Sequence, residues 1–207
     1  MQVKICGLND PAGFATAADA GVDWVGFVFF PPSPRAVTPD QAAALSAARP
    51  GGPARVGLFV DPTEAEIAAA LAAIPLDALQ LYAAPARVTA LAARFGIPVW
   101  HAVGIATQAD LPREAGAAAR LVIEAKPPAG ATRPGGNAAT FDWTLLRGWS
   151  APAPWILAGG LTPETVRGAI AASGAVAVDV SSGVETAPGV KDPARIRAFI
   201  AAARASG

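Results

Sequence analysis

The 207-residue chain has a single cysteine, Cys6, and a single histidine, His101. One cysteine excludes an internal disulfide, and one of each excludes a Cys/His metal cluster. Charge is scarce as well. Sixteen basic and sixteen acidic side chains leave a formal net charge of zero, which gives nucleic acid no electrostatic footprint. Every long apolar stretch is broken by Gly, Pro or a charge before it reaches the roughly 18 residues of a membrane span. The opening Met-Gln-Val-Lys-Ile-Cys-Gly carries no basic leader or small-residue cleavage site. These absences describe a cytoplasmic protein, monomer or homodimer, whose partner is a small molecule. Without a metal, its chemistry must run on carboxylates, one thiol and backbone amides.

What the chain does have is regular alternation. Eight short apolar runs, bounded by Gly, Pro or charge, read as strands: 3–6, 24–29, 55–60, 78–82, 98–103, 121–124, 155–158 and 176–181. Ala-rich segments with acidic or hydroxyl starts lie between them, as at Thr38-Pro39-Asp40, Asp61-Pro62-Thr63-Glu64 and Thr162-Pro163-Glu164. These read as capped helices with Pro in the first turn. Eight strand–helix alternations without a Ser/Gly linker predict one closed parallel (β/α)8 TIM barrel spanning residues 1–207. An open doubly wound sheet is the alternative, but no GxGxxG follows the first strand.

In a barrel, chemistry sits where strands end. After the seventh run comes Ala158-Gly159-Gly160-Leu161-Thr162, and after the eighth Ser181-Ser182-Gly183 leads into a short helix. Small residues let backbone amides approach an anion, so Gly159, Gly160, Ser181, Ser182 and Gly183 predict a phosphate grip that needs no Lys or Arg. A lone Gly-Gly is usually a tight turn; two such loops at adjacent strand ends favour the grip.

The same residues carry a resemblance. Lys4-Ile5-Cys6-Gly7, Ser33-Pro34-Arg35-Ala36-Val37, Gln80-Leu81, Phe141-Asp142-Trp143, Leu157-Ala158-Gly159-Gly160 and Asp179-Val180-Ser181-Ser182-Gly183-Val184-Glu185 occur in order, followed by Gly189-Val190-Lys191-Asp192. Together they resemble the phosphoribosylanthranilate isomerase family over essentially the whole chain. The resemblance implies a cofactor-free Amadori rearrangement in tryptophan biosynthesis, converting N-(5-phosphoribosyl)anthranilate to the 1-deoxyribulose phosphate. An acid opens the furanose ring and a base removes the C2 proton.

By the same resemblance Cys6 is the base, Glu124 stands where the family has an acidic Asp, and Arg35 binds the substrate carboxylate. Asp179 contacts ribose hydroxyls or holds the acid, Gln80 and Tyr82 bind substrate, and Gly136 and Asn137 complete the phosphate site. Apolar neighbours are expected to raise the pKa of Glu124. The bland alternative has Glu124 pairing with Lys126 at the rim. Lys4 is expected to face away from Cys6, which leaves the thiol's helper unnamed. His101 is expected to be a barrel or surface histidine without a role in the chemistry.

This chain departs from the family's pattern in three places: Glu124 for Asp, Tyr82 for a His, and Asn137-Ala138 in a glycine-rich loop. Two competing readings remain open here. One is another phosphate-handling barrel activity, a sugar-phosphate epimerase or indole-glycerol-phosphate synthase. It lacks support in a metal-ligand set or a strand-end catalytic lysine. The other is a barrel that binds the ligand without turning it over.

Overall fold

A computed structural model describes residues 1–128, 130–131, 134–135 and 139–205. Eight parallel strands close into a barrel in chain order: Gln2–Cys6 (β1), Trp24–Val28 (β2), Ala54–Val60 (β3), Ala78–Tyr82 (β4), Val99–Ile105 (β5), Arg120–Ala125 (β6), Trp155–Leu157 (β7) and Ala177–Val180 (β8). β8 pairs back onto β1, with Val3 opposite Val178 and Lys4 opposite Asp179. The eight predicted runs are these strands, to within a residue or two at most ends. The closed ring excludes the open sheet.

Most strands bury both faces, which explains why the runs read as continuously apolar, whereas β5 is half-buried from His101 to Gly104. The outward rows, such as Val3 and Ile5 on β1, Leu79 and Leu81 on β4, and Leu121 and Ile123 on β6, join the layer packed beneath the helices. The inward rows fill the barrel. At its floor, Val56, Ala78, Trp100, Val122, Ile156 and Ala177 form a separate apolar layer. Trp24 and Trp100 meet edge to face at 5.1 Å, and the Arg120 guanidinium lies 4.7 Å and 5.1 Å from their rings.

Six α-helices occur among the described residues: Pro11–Asp19 (α1), Pro39–Ala47 (α2), Glu64–Ala73 (α3), Pro85–Phe95 (α4), Val166–Ser173 (α5) and Pro193–Arg204 (α6). Among the described residues, the crossovers after β5 and β6 hold the 3₁₀ turns Gln108–Asp110 and Trp143–Leu146 and no α-helix. In the first, the Asp110 carboxylate accepts from the Ala106 and Thr107 amides and closes a local turn, with Pro112 and a left-handed Gly116 beyond it. The second begins Lys126-Pro127-Pro128, which does not start a helix.

Of the three predicted helix starts, one stands as drawn. Thr38 caps α2 in a reciprocal box with Gln41, and Pro39 occupies the first turn. At α3 the cap is Thr63, boxed with Glu66, so Pro62 lies outside the helix. Thr162 caps only a turn, accepting from the Glu164 and Thr165 amides, and α5 begins later at Val166. After β8 a 3₁₀ turn, Ser182–Val184, leads into the hairpin Glu185–Ala187 (β9) and Val190–Lys191 (β10).

Candidate active site

A cleft of about 800 Å³, open to solvent, occupies the C-terminal mouth of the barrel. Inward-facing positions follow a period of two along each strand, so the mouth receives Lys4 and Cys6 from β1, Gln80 and Tyr82 from β4, Glu124 from β6 and Asp179 from β8. Gly26 on β2 makes room for the first two. A Cβ there would lie 2.8 Å from Cys6 Sγ and 3.2 Å from Lys4 Nζ.

That periodicity corrects one expectation. Lys4 does not face away from Cys6; two residues apart on one strand, both point inward. Lys4 is wholly buried and donates 2.9 Å bonds to Asp179 Oδ2 and Gln80 Oε1. Burial would strip its proton, but the Asp179 carboxylate and the Cys6 thiol outweigh burial and hold its pKa above the ordinary lysine value. Burial, with the Asp179 charge behind it, holds the Cys6 thiol above its ordinary value, while Lys4 and the more distant Lys191 pull it back toward thiolate. Asp179 Oδ1 is buried with no hydrogen-bond partner among the described residues, although it lines the cleft.

Glu124 is buried, and burial raises its pKa to about 8, against a hydrogen bond from Tyr82 that lowers it. A carboxyl so held carries its proton at neutral pH and can give it away. The rim alternative fails on contacts, because Lys126 pairs with Asp110 at 3.5 Å. Tyr82 is likewise pushed well above the usual phenol value, first by burial and then by the Glu124 charge.

Arg35 reaches the cleft with its side chain already engaged. Nε and Nη2 donate to the two Glu185 oxygens at 2.7 Å and 2.8 Å, and Lys191 Nζ donates to Glu185 Oε1 at 2.7 Å. The two cations outweigh burial and hold Glu185 below the usual carboxylate range. Lys191, with its side chain fully covered, also donates to Ser181 O at 2.9 Å and to Ser181 Oγ at 3.3 Å. Ser181 Oγ in turn donates to Cys6 O at 3.0 Å. The hairpin therefore ties Arg35, the end of β8 and the end of β1 into one unit of net charge +1 around Glu185. Gly7 has a left-handed φ of +70° and lets Arg35 lie against it; a Cβ would sit 2.6 Å from Arg35 Cδ.

The two small-residue loops meet beside this cluster, at the ends of β7 and β8. Gly159 and Gly160 have φ of +83° and +67°, and a side chain at Gly160 would strike Thr140. Ser181 and Ser182 line the cleft beside them. Gly183 does not line it: it lies against the Leu161 carbonyl, where any Cβ would collide, and so allows the two loops to touch. Gly136, Asn137 and Ala138 lie outside the described residues. Gly135 and Ala139, on either side of them, stand on the cleft wall.

Cys6, Arg35, Gln80, Tyr82, Glu124, Asp179, Gly159, Gly160, Ser181 and Ser182 are thus brought to one cleft. His101 stands apart on β5, half-buried, with Nε2 3.0 Å from Ala83 O. Sequence reading assigned no role to Lys4, Glu185 or Lys191. Counting by two from Cys6 identifies Lys4. The other pair has no periodic signal, because the hairpin folds back on itself.

A family model described as N-(5'-phosphoribosyl)anthranilate (PRA) isomerase matches residues 3–202. The N-(5'-phosphoribosyl)anthranilate isomerase of Acidiphilium cryptum is 56% identical over 205 residues, covering 99% of each chain. That of Paracoccus denitrificans is 57% identical over 210 residues, covering 99% of this chain and 98% of its own. Among solved structures, phosphoribosyl anthranilate isomerase from Thermotoga maritima superposes with a TM-score of 0.86 at 34% identity, covering 99% of both chains. A phosphoribosyl anthranilate isomerase in complex with reduced 1-(o-carboxyphenylamino)-1-deoxyribulose 5-phosphate does so at 0.82 and 33%, again over 99% of both.

Proposed function

This chain belongs to the N-(5'-phosphoribosyl)anthranilate isomerase family, and from that premise we propose that Cys6 is the general base and Glu124 the general acid of its reaction. The reaction is the aldose–ketose isomerisation of N-(5'-phosphoribosyl)anthranilate to 1-(2-carboxyphenylamino)-1-deoxyribulose 5-phosphate in tryptophan biosynthesis. The observation that carries the proposal is the placement of a protonated, buried carboxyl and a lysine-paired thiol on facing strands of one cleft.

Glu124 gives its proton to the furanose ring oxygen. The C1–O bond breaks as the anilino nitrogen lone pair closes a C1=N iminium. Cys6 thiolate then takes the C2 proton; the C–H electrons form C1=C2 and the iminium pair returns to nitrogen. The resulting enolamine gains a proton at C1 and loses the C2 hydroxyl proton to become the ketone. Lys4 favours the thiolate at the base.

Around this pair, the free edge of Arg35 receives the anthranilate carboxylate. Val28, Phe30, Leu58 and Val60 supply the apolar wall for the ring. The unpartnered Asp179 Oδ1 accepts from a ribose hydroxyl, with Gln80 and Tyr82 completing the wall against the sugar. Gly159, Gly160, Ser181 and Ser182 offer amides and hydroxyls to the phosphate. The whole 1–207 chain acts as one cytoplasmic catalytic unit, as a monomer or as a homodimer; a related enzyme from Thermotoga maritima is described as dimeric, with monomers generated from it.

Loss of the fluorescent substrate in a steady-state assay tests the assignment. Cys6→Ala and Glu124→Ala should each lower kcat by about a thousandfold, within the range general acid–base groups supply. Unchanged turnover in Cys6→Ala removes the thiol from the mechanism. Absence of turnover in the wild type points to a barrel that only binds.

A further inference from the structure

Between base and acid lies a buried hydrogen-bond chain with a defined direction. The Lys4 ammonium has only protons to give, so the Gln80 atom 2.9 Å from it is the carbonyl oxygen Oε1. The amide is thereby oriented, and Nε2 donates to the Tyr82 hydroxyl over a long 3.5 Å. With one lone pair taken, that hydroxyl has its own proton free for the Glu124 carboxyl, which stands beside it against Gly135. Gly135 covers the pair: a Cβ there would stand 2.5 Å from the Tyr82 oxygen and 2.9 Å from each Glu124 oxygen.

Resting on the assignment of Glu124 as acid, we propose that Tyr82 is a positioning residue for it. The phenol donates to the carboxyl, leaves the carboxylic proton free to point into the cleft, and steadies the carboxylate formed when that proton is delivered. Gln80, pinned by Lys4, sets the direction. A phenol accepting from Glu124 would instead hold the proton away from the substrate. A donor to the ionised form lowers a carboxyl's pKa, so Tyr82 works against the burial that raises it. The other ionisable groups facing the pair are Lys4 and Cys6 from β1 and Asp179 from β8. The strands flanking Glu124 bring Gly104 from β5 and, after β7, the backbone at Ala158 and Gly159. None of these changes in Tyr82→Phe, which keeps the ring and removes only the hydroxyl.

The test is a carboxyl carbon-13 titration of the intact protein, with the Glu124 signal assigned by its loss in Glu124→Gln. Tyr82→Phe should raise the Glu124 midpoint by about one pH unit, the worth of a hydrogen bond to a charged group. It should also lower kcat about tenfold with KM within about twofold, the pattern of an interaction made in the transition state. Gln80→Met, which removes the donor behind Tyr82, should move the midpoint upward by less, and decides alone should Tyr82→Phe fail to fold. An unmoved midpoint overturns the proposal, as does a raised KM with unchanged kcat, the mark of a residue that only binds substrate. Full turnover by Glu124→Gln overturns it by a different route, by removing the acid on which it rests.

Discussion

At the barrel floor, Trp24, Trp100 and Arg120 stack beneath Val56, Val122 and Ile156, an apolar layer held by area and ring contacts. At the mouth stand Cys6, Gln80, Tyr82, Glu124 and Asp179, with Gln80 and Tyr82 one and two inward positions beyond Ala78, Glu124 one beyond Val122 and Asp179 one beyond Ala177. An inward step of two residues is roughly 7 Å. Over that distance the interior changes from groups that favour burial to groups that resist it. Val122 and Glu124 on β6 are neighbours in one row, yet only the second has its protonation state altered by its surroundings. The lesson is that floor and mouth divide the work: the floor supplies stability, and the mouth spends part of it on holding a thiol, a carboxyl and an ion pair dry.

The largest effect that would break this contrast concerns the Lys4–Asp179 pair. Lys4→Met alone should destabilise the fold by about 3–5 kcal/mol, because Asp179 is left buried without its cation. Lys4→Met combined with Asp179→Leu should restore most of that in urea denaturation, while kcat stays down by about a hundredfold or more. A double variant that regains activity would show the pair to be structural. Next, Trp100→Ala at the floor should cost about 3–5 kcal/mol by the same measurement and leave kcat per folded molecule unchanged. A fall in kcat there would mean that the two ends are coupled.

The smallest effect is a pH dependence. The folded pKa of Glu124 lies above its unfolded value, so its contribution favours the fold fully below about pH 4.5 and is lost as the pH rises toward about 8. Glu124→Gln should therefore gain stability over wild type between those values, by a few kcal/mol at most, with little difference at pH 4. A gap that narrows with rising pH would contradict the burial of that carboxyl.

Much of this site could be read from the sequence because strand ends, loop glycines and the period of two are local. The Gly159–Gly160 loop needed only its position after a run, whereas Cys6 and Glu124 stand at strand ends and drew their roles from the family resemblance. Lys4 is equally legible, since the period of two puts it on the same inward face as Cys6. That no α-helix follows β5 or β6 among the described residues had a signal too, in Pro112, Gly116 and the Lys126-Pro127-Pro128 start. The Arg35–Glu185–Lys191 cluster had none. Its members are up to 156 residues apart in the chain, and they meet because a hairpin folds back over the ends of β8 and β1.

By itself, the sequence determined a closed eight-stranded barrel and the end of it that carries the cleft, while the resemblance to a family singled out the thiol and the carboxyl there. The first two follow from local patterning and from the rule that parallel strands present their C-terminal ends together. Only the tertiary structure decided how their surroundings shift the titration of those groups and how the amide between them is oriented. Burial raises Glu124 to about 8, Lys4 opposes the burial of Cys6, and Lys4, holding Gln80 Oε1, turns the Gln80 amide nitrogen toward Tyr82. Desolvation and hydrogen-bond direction are properties of what surrounds a group on every side, and those surroundings come from strands far apart in the chain.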